Sequence, residues 1–216
     1  MSRISAGIVR VMLLGSAVPV VAGTISVQAN LANHEPFAGA VVTVRADGAH
    51  APSAPISAIL DQINLTFVPD IVVIPVGSTV EFPNSDSVSH QIYSFSPTKR
   101  FQLPLYHGKP YPPVHFDQAG VVTLGCNIHD RMVGYIVVTD AAYFGRTDGH
   151  GTWSVTNVPR GTYHVSLWHP LLRDPAASLE RDVSITGDES ATATVQLAQS
   201  LRPAPLPATA RSRDAY

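Results

Sequence analysis

The sequence predicts an all-β chain built from small sandwiches, and three observations lead there. Short runs of β-branched and aromatic residues recur at close intervals, many of them alternate apolar with polar positions, and eighteen prolines and fifteen glycines punctuate the 216 residues. After the first 22 residues no stretch keeps a helical period for more than a turn or two.

Taken in order, strands are expected in TISVQANL, GAVVTVRA, DIVVIPVGSTVEF, HQIYSF, PVHFD, GVVTLGC, GYIVVTD, TWSVTNV, TYHVSLW, DVSITG and ATATVQLA. In TYHVSLW, Tyr163, Val165 and Leu167 share one face, with His164 and Ser166 on the other. SAPISAILDQ, residues 53 to 62, is the one ambiguous helix candidate. TDGHG (147 to 151) and PRG (159 to 161) are turn signals on either side of the Trp153 and Val155 strand, so a hairpin-rich unit is expected over about 146–198. The last residues, 199–216, are rich in proline and alanine with no face to bury, and are expected to be disordered.

Composition bounds the function. A 45% hydrophobic content is enough for real cores, while a formal charge of −2 and the lack of any lysine/arginine run argue against nucleic-acid binding. The first residues place Arg3 and Arg10 around a short apolar run, Val11 to Val21, followed by small residues. That pattern predicts a signal peptide over 1–22 and export to the periplasm. The run is too short for the roughly 20 residues of a spanning helix, so no stable membrane insertion is expected.

Export bears on the only cysteine, Cys126, which cannot form a disulfide within its own chain. It is a metal ligand, a reactive thiol, an intermolecular link or an inert buried residue. Its neighbourhood, CNIHDRM, adds His129 and Met132 on one tight loop between two strands. Thiolate, imidazole and thioether make a set suited to copper, and two histidines with a cysteine and a weak axial methionine are the donors of blue-copper sites. His90, which ends a polar turn and opens a strand, is the candidate second histidine. Zinc with His107 or His115 in place of Met132 is the competing metal reading. No third orienting group or oxyanion hole stands at a recognisable spacing for a Cys/His nucleophile, so no enzyme activity is expected.

The stretches VPVGSTVEFPNSDSVSHQIYSF and PPVHFDQAGVVTLGCNIHDRMVGYIVV resemble the cupredoxin family, which includes plastocyanin, azurin and amicyanin. The resemblance spans residues 56–140, with Gly77, Val80, Phe82, Asn84 and Asp86 leading into the first histidine. The Cys-x-x-His-x-x-Met loop is most similar to that of amicyanin. The resemblance implies a Greek-key β-sandwich holding one copper ion through His90, Cys126, His129 and Met132. Many cupredoxins carry Asn after the first histidine, where this chain has Gln91; Asn127 is the expected alternative partner between the two ligand loops.

RTDGHGTWSVTNVPRGTYHVSLWHP resembles a second family, the carboxypeptidase regulatory-like (transthyretin-like) β-sandwich, whose usual opening is matched far upstream in ISVQANLANHEPFAGAVVTVRA. The expected organisation is therefore one small sandwich from 24–47 and 146–198, with the copper domain inserted. The simpler alternative gives 24–47 to the copper domain. His150, His164 and His169 are expected on polar or loop positions, and Trp168, Tyr106 and Tyr111 in packing roles. The resemblance implies an exported type 1 copper protein carrying single electrons to or from a redox partner such as a cytochrome c, a dehydrogenase or another copper protein. The alternative is a periplasmic copper chaperone or scavenger.

Overall fold

The computed structural model describes residues 22–48, 53–108, 111–172, 179–187, 189–197 and 201–203. Apart from Ala22, the expected signal peptide lies outside the described residues. So does most of the expected disordered tail; of its described part, Leu201 packs on a core cluster and Arg202 N–H donates to Leu171 O at 2.8 Å.

The described residues form an all-β structure. The strands run β1 (Ala22–Asn30), β2 (Val41–Ala46), β3 (Ser57–Ile59), β4 (Asp61–Ile63), β5 (Thr66–Val68), β6 (Ile71–Pro75), β7 (Ser78–Glu81), β8 (His90–Ser96) and β9 (Lys99–Tyr106). They continue as β10 (Val114–Phe116), β11 (Gly120–Cys126), β12 (Val133–Thr139), β13 (Tyr143–Arg146), β14 (Thr152–Pro159), β15 (Gly161–Trp168), β16 (Leu179–Ile185) and β17 (Ser190–Gln196). Alternation is what places them. Along β1 every second residue is buried, and on β15 Tyr163, Val165 and Leu167 are at most 1% exposed.

Two packed cores result. A five-stranded sheet, β6-β12-β11-β8-β9, faces a smaller one, β10-β7-β3. Val122 and Leu124 from the first, Val80 and Phe116 from the second, and Phe82 beside them, share a single buried cluster. The other core lies between β14-β1-β17 and β13-β2-β15-β16, with Ile25, Val44, Val158, Tyr163 and Val195 inside. Thus β1 and β2 pair with strands from the far end of the sequence: β1 with β14 and β17, β2 with β13 and β15.

The sheets also meet back to back. Val41 and Trp168 from the second set pack on Ile71, Val121, Tyr135 and Val137, on the outer face of the five-stranded sheet. The Trp168 and Tyr135 rings stand edge to face at 5.7 Å. Arg146 Nη1 ties the seam by donating to Asp70 Oδ1 at 3.2 Å and Ile71 O at 3.3 Å.

The helix candidate at 53–62 is corrected: it contains β3 and the start of β4. Ser57–Ile59 adds parallel to Thr79–Glu81 of β7, and Asp61–Ile63 pairs with Thr66–Val68. Edge hydrogen bonding to an existing strand outweighs the weak helical preference of this short run.

Candidate metal centre

The site grows from two ends of neighbouring strands. Cys126 is the last residue of β11 and lies opposite Ile92 of β8, while His90 is the first residue of β8. A loop of six residues, 127–132, then returns the chain to β12. Met132 N–H donates to His129 O at 2.9 Å, and Cys126 N–H donates to Met132 O at 3.3 Å, so the loop closes tightly. Two glycines make room for it. A Cβ on Gly125 would sit 2.7 Å from the Tyr93 ring, and one on Gly134 would sit 2.9 Å from that of Phe67.

The loop before His90 is set by its own side chains. Asn84, 3% exposed, donates through Nδ2 to Val88 O at 3.0 Å and Tyr106 O at 2.9 Å, and its Oδ1 accepts from Asp86 N–H at 3.0 Å. Asp86 in turn accepts from Leu65 N–H at 2.7 Å and Ser87 N–H at 2.8 Å, and its Oδ2 lies 3.1 Å from His90 Nε2. Burial alone would raise the Asp86 pKa, but the hydrogen bonds from Leu65, His90 and Ser87 outweigh it and hold the carboxyl below its usual range.

That carboxylate decides the state of His90. An ionised Asp86 only accepts, so His90 Nε2 carries the proton and Nδ1 keeps its lone pair. Nδ1 points to the other two groups: it lies 3.2 Å from His129 Nδ1 and 3.8 Å from Cys126 Sγ, and Sγ lies 3.7 Å from His129 Nδ1. His90 is fully buried and Cys126 is 4% exposed, while His129 is half-buried. Desolvation, followed by the neighbouring His90, lowers the His129 pKa, which favours the neutral ring a metal requires.

The triangle has the dimensions of a coordination site. The point in its plane equidistant from the three atoms lies about 2.1 Å from each, against ~2.0–2.1 Å for imidazole nitrogen and ~2.3 Å for thiolate on zinc. Among the described residues, His90, Cys126 and His129 are the only group of three or more His, Cys, Asp or Glu side chains with ligand atoms so gathered. Met132 is 1% exposed, in the same buried cluster as Cys126.

Other histidines stand apart. His107 and His115 are exposed and join no such group, which removes them as ligands beside Cys126. His164 bridges Asp47 and Asp182 at 2.6 Å each, and His169 packs edge-on against Phe37. Tyr106 is a core residue: its hydroxyl donates to Phe82 O at 2.6 Å and accepts from Gln62 Nε2 at 2.5 Å, and burial pushes its pKa up to about 12.

Two features escaped sequence reasoning. Asp86 was legible only as part of a framework, although its position four residues before His90 was the available signal. Asn127, expected to link the ligand loops, is instead exposed and makes no side-chain hydrogen bond among the described residues. Asp86 and Asn84 brace the loop before His90, through Leu65, Val88 and Tyr106, and the two ligand loops meet at His90 and His129, whose Nδ1 atoms lie 3.2 Å apart.

No protein-family model matches the chain, and no curated protein matches it. Among solved structures it is similar to a purple cupredoxin from Nitrosopumilus maritimus, at 29% identity over 38% of this chain and 99% of that one, with a TM-score of 0.35. A copper-containing nitrite reductase from Thermus scotoductus shows 26% identity over 51% of this chain and 28% of that one, with a TM-score of 0.36. A reduced amicyanin mutant shows 20% identity over 45% of this chain and 99% of that one, with a TM-score of 0.35. The described residues are all-β, the solved structures similar to the chain include several cupredoxins, and the chain carries a His-Cys-His group able to hold a metal ion.

Proposed function

We propose that this chain is an exported type 1 copper protein that carries single electrons and catalyses no substrate chemistry. The observation that carries the reading is the triangle of two imidazole nitrogens and one thiol sulfur, already at metal-binding separations and buried at the end of a β-sandwich. His90, Cys126 and His129 are the in-plane ligands and Met132 the weak axial one, a donor set that selects copper over zinc. When bound, copper supplies a one-electron couple.

The protein's part is to keep the ligands still. His90 is held by Asp86, Cys126 by β-pairing to Ile92, and His129 by the closed loop, so both oxidation states meet nearly one geometry. Burial of the thiol weighs against the chaperone reading, because handing a metal on requires an incoming ligand to reach the sulfur. His129 is the half-buried ligand, and Ile128, 50% exposed, and Val133, 36% exposed, flank it as a small apolar surface. A redox protein such as a cytochrome c, a dehydrogenase or another copper protein would dock there. No helix among the described residues is long and apolar enough to cross a membrane. We also read 24–47 and 146–198 as one module into which 56–140 is inserted, an easy arrangement when chain ends lie close.

The copper-loaded protein is expected to show an intense visible thiolate-to-Cu(II) absorption that is bleached by a reductant and restored by an oxidant over repeated cycles. A colourless protein that holds only Cu(I) and releases it to a chelator within minutes would favour the chaperone instead.

A further inference from the structure

We infer that Arg131 sets the balance between the two copper oxidation states, as an unpaired positive charge fixed in the ligand loop that favours Cu(I). The inference rests on the copper reading above. Arg131 stands between His129 and Met132, is half-buried, and has its Nη1 buried with no hydrogen-bond partner. It forms no ion pair or side-chain hydrogen bond with any described residue, the adjacent, exposed Asp130 included.

Such a placement is costly and therefore informative. A guanidinium is charged at every accessible pH, and a buried N–H with no acceptor forfeits its hydration without compensation. Surface arginines avoid this by turning to water or a carboxylate. Here the charge has no ion-pair partner among the described residues, in the loop that carries His129 and Met132.

Its effect on the couple follows from charge alone. Reduction adds one electron to the centre and takes it from Cu(II) to Cu(I), with no bond made or broken in the chain. A fixed cation nearby disfavours the more positive Cu(II) form. Arg131 is two residues from His129 and adjacent to Met132, and consecutive Cα atoms are 3.8 Å apart, so its backbone lies within about 8 Å of that of either ligand. A unit charge about 12 Å from the metal, at an effective dielectric of about 20, changes an equilibrium roughly tenfold. Asp86 supplies the opposing charge, through its contact with His90. The two charges therefore pull the potential in opposite directions.

The test is a spectroelectrochemical titration of copper-loaded wild type, R131Q, R131M and R131K, with Cu(I) and Cu(II) affinities measured by chelator competition. R131Q and R131M are expected to lower the midpoint potential by about 59 mV, the one-electron equivalent of a tenfold change in the ratio of Cu(II) to Cu(I) affinity. R131K, which keeps the charge, should stay close to wild type. Equal potentials in all four proteins would overturn the inference while leaving the copper reading intact. Loss of the visible absorption in both neutral variants would overturn it too, since the side chain would then be needed to build the loop. A wild-type protein with no such absorption would instead sink the copper reading beneath it.

Discussion

Cys126→Ser is expected to abolish the visible absorption of the copper-loaded protein and to weaken Cu(II) binding by more than a hundredfold. Two facts set the size. The absorption belongs to the sulfur, so a hydroxyl cannot produce it. The affinity loss must exceed the ~10–100-fold typical of removing a residue that merely orients a ligand. Cys126 is 4% exposed, and its sulfur is one corner of the triangle, at 3.8 Å from His90 Nδ1 and 3.7 Å from His129 Nδ1. Serine is smaller and fits the same place, so the fold should survive, which far-ultraviolet circular dichroism would check. A C126S protein that stays coloured would remove the thiolate from the site.

Asp86→Asn should cost ~10–100-fold in copper affinity without removing any ligand. The reasoning concerns a proton. Asp86 accepts from both Leu65 N–H and His90 Nε2, which leaves His90 Nδ1 unprotonated. Both of those contacts fall on Oδ2, while Oδ1 accepts from Ser87 N–H, so an asparagine that keeps its oxygen on Ser87 turns its amide N–H towards Leu65 N–H and His90 Nε2, and donors then face each other. The ring relieves this by moving its proton to Nδ1, which is the atom the metal needs. Because a negative charge is lost as well, the copper that does bind should have a higher potential than in the wild type, opposite in sign to R131Q. Chelator competition at neutral pH measures the first effect and a redox titration the second. Wild-type affinity in D86N would show that the carboxylate does not set the tautomer.

The all-β class was legible because the long strands announce themselves by alternation. In β1 and β15 the residues that alternate in the sequence are those that alternate between core and surface. The three-residue strands β3, β4 and β5 carry no readable period, since three residues cannot distinguish a strand from a turn, and one of them fell in the helix candidate. The residues of β3 pair with residues of β7 that lie 22 positions further along the chain, which no local pattern encodes.

The site divides in the same way. Cys126, His129 and Met132 are legible together because they fall within seven consecutive residues, whereas His90 is 36 residues from the cysteine and was reached through its framework. The contact of Asp86 with Leu65 was not legible at all. It joins the β4-β5 turn to the ligand loop, and Leu65 has a positive φ of 59°, an unusual conformation for a leucine that nothing in its side chain predicts. Asn127 differs from expectation for another reason: its position after the cysteine suggests a link, but its side chain is exposed and the two ligand loops meet through His90 and His129.

X-ray absorption at the copper edge of the oxidised, copper-loaded protein tests the central claim most directly. Two nitrogen scatterers at ~2.0–2.1 Å and one sulfur scatterer at ~2.3 Å, with the sulfur lost in C126S, are the result expected from the triangle of His90, Cys126 and His129. A first shell of nitrogen and oxygen alone would contradict it, because the copper would then be bound somewhere other than between these three side chains.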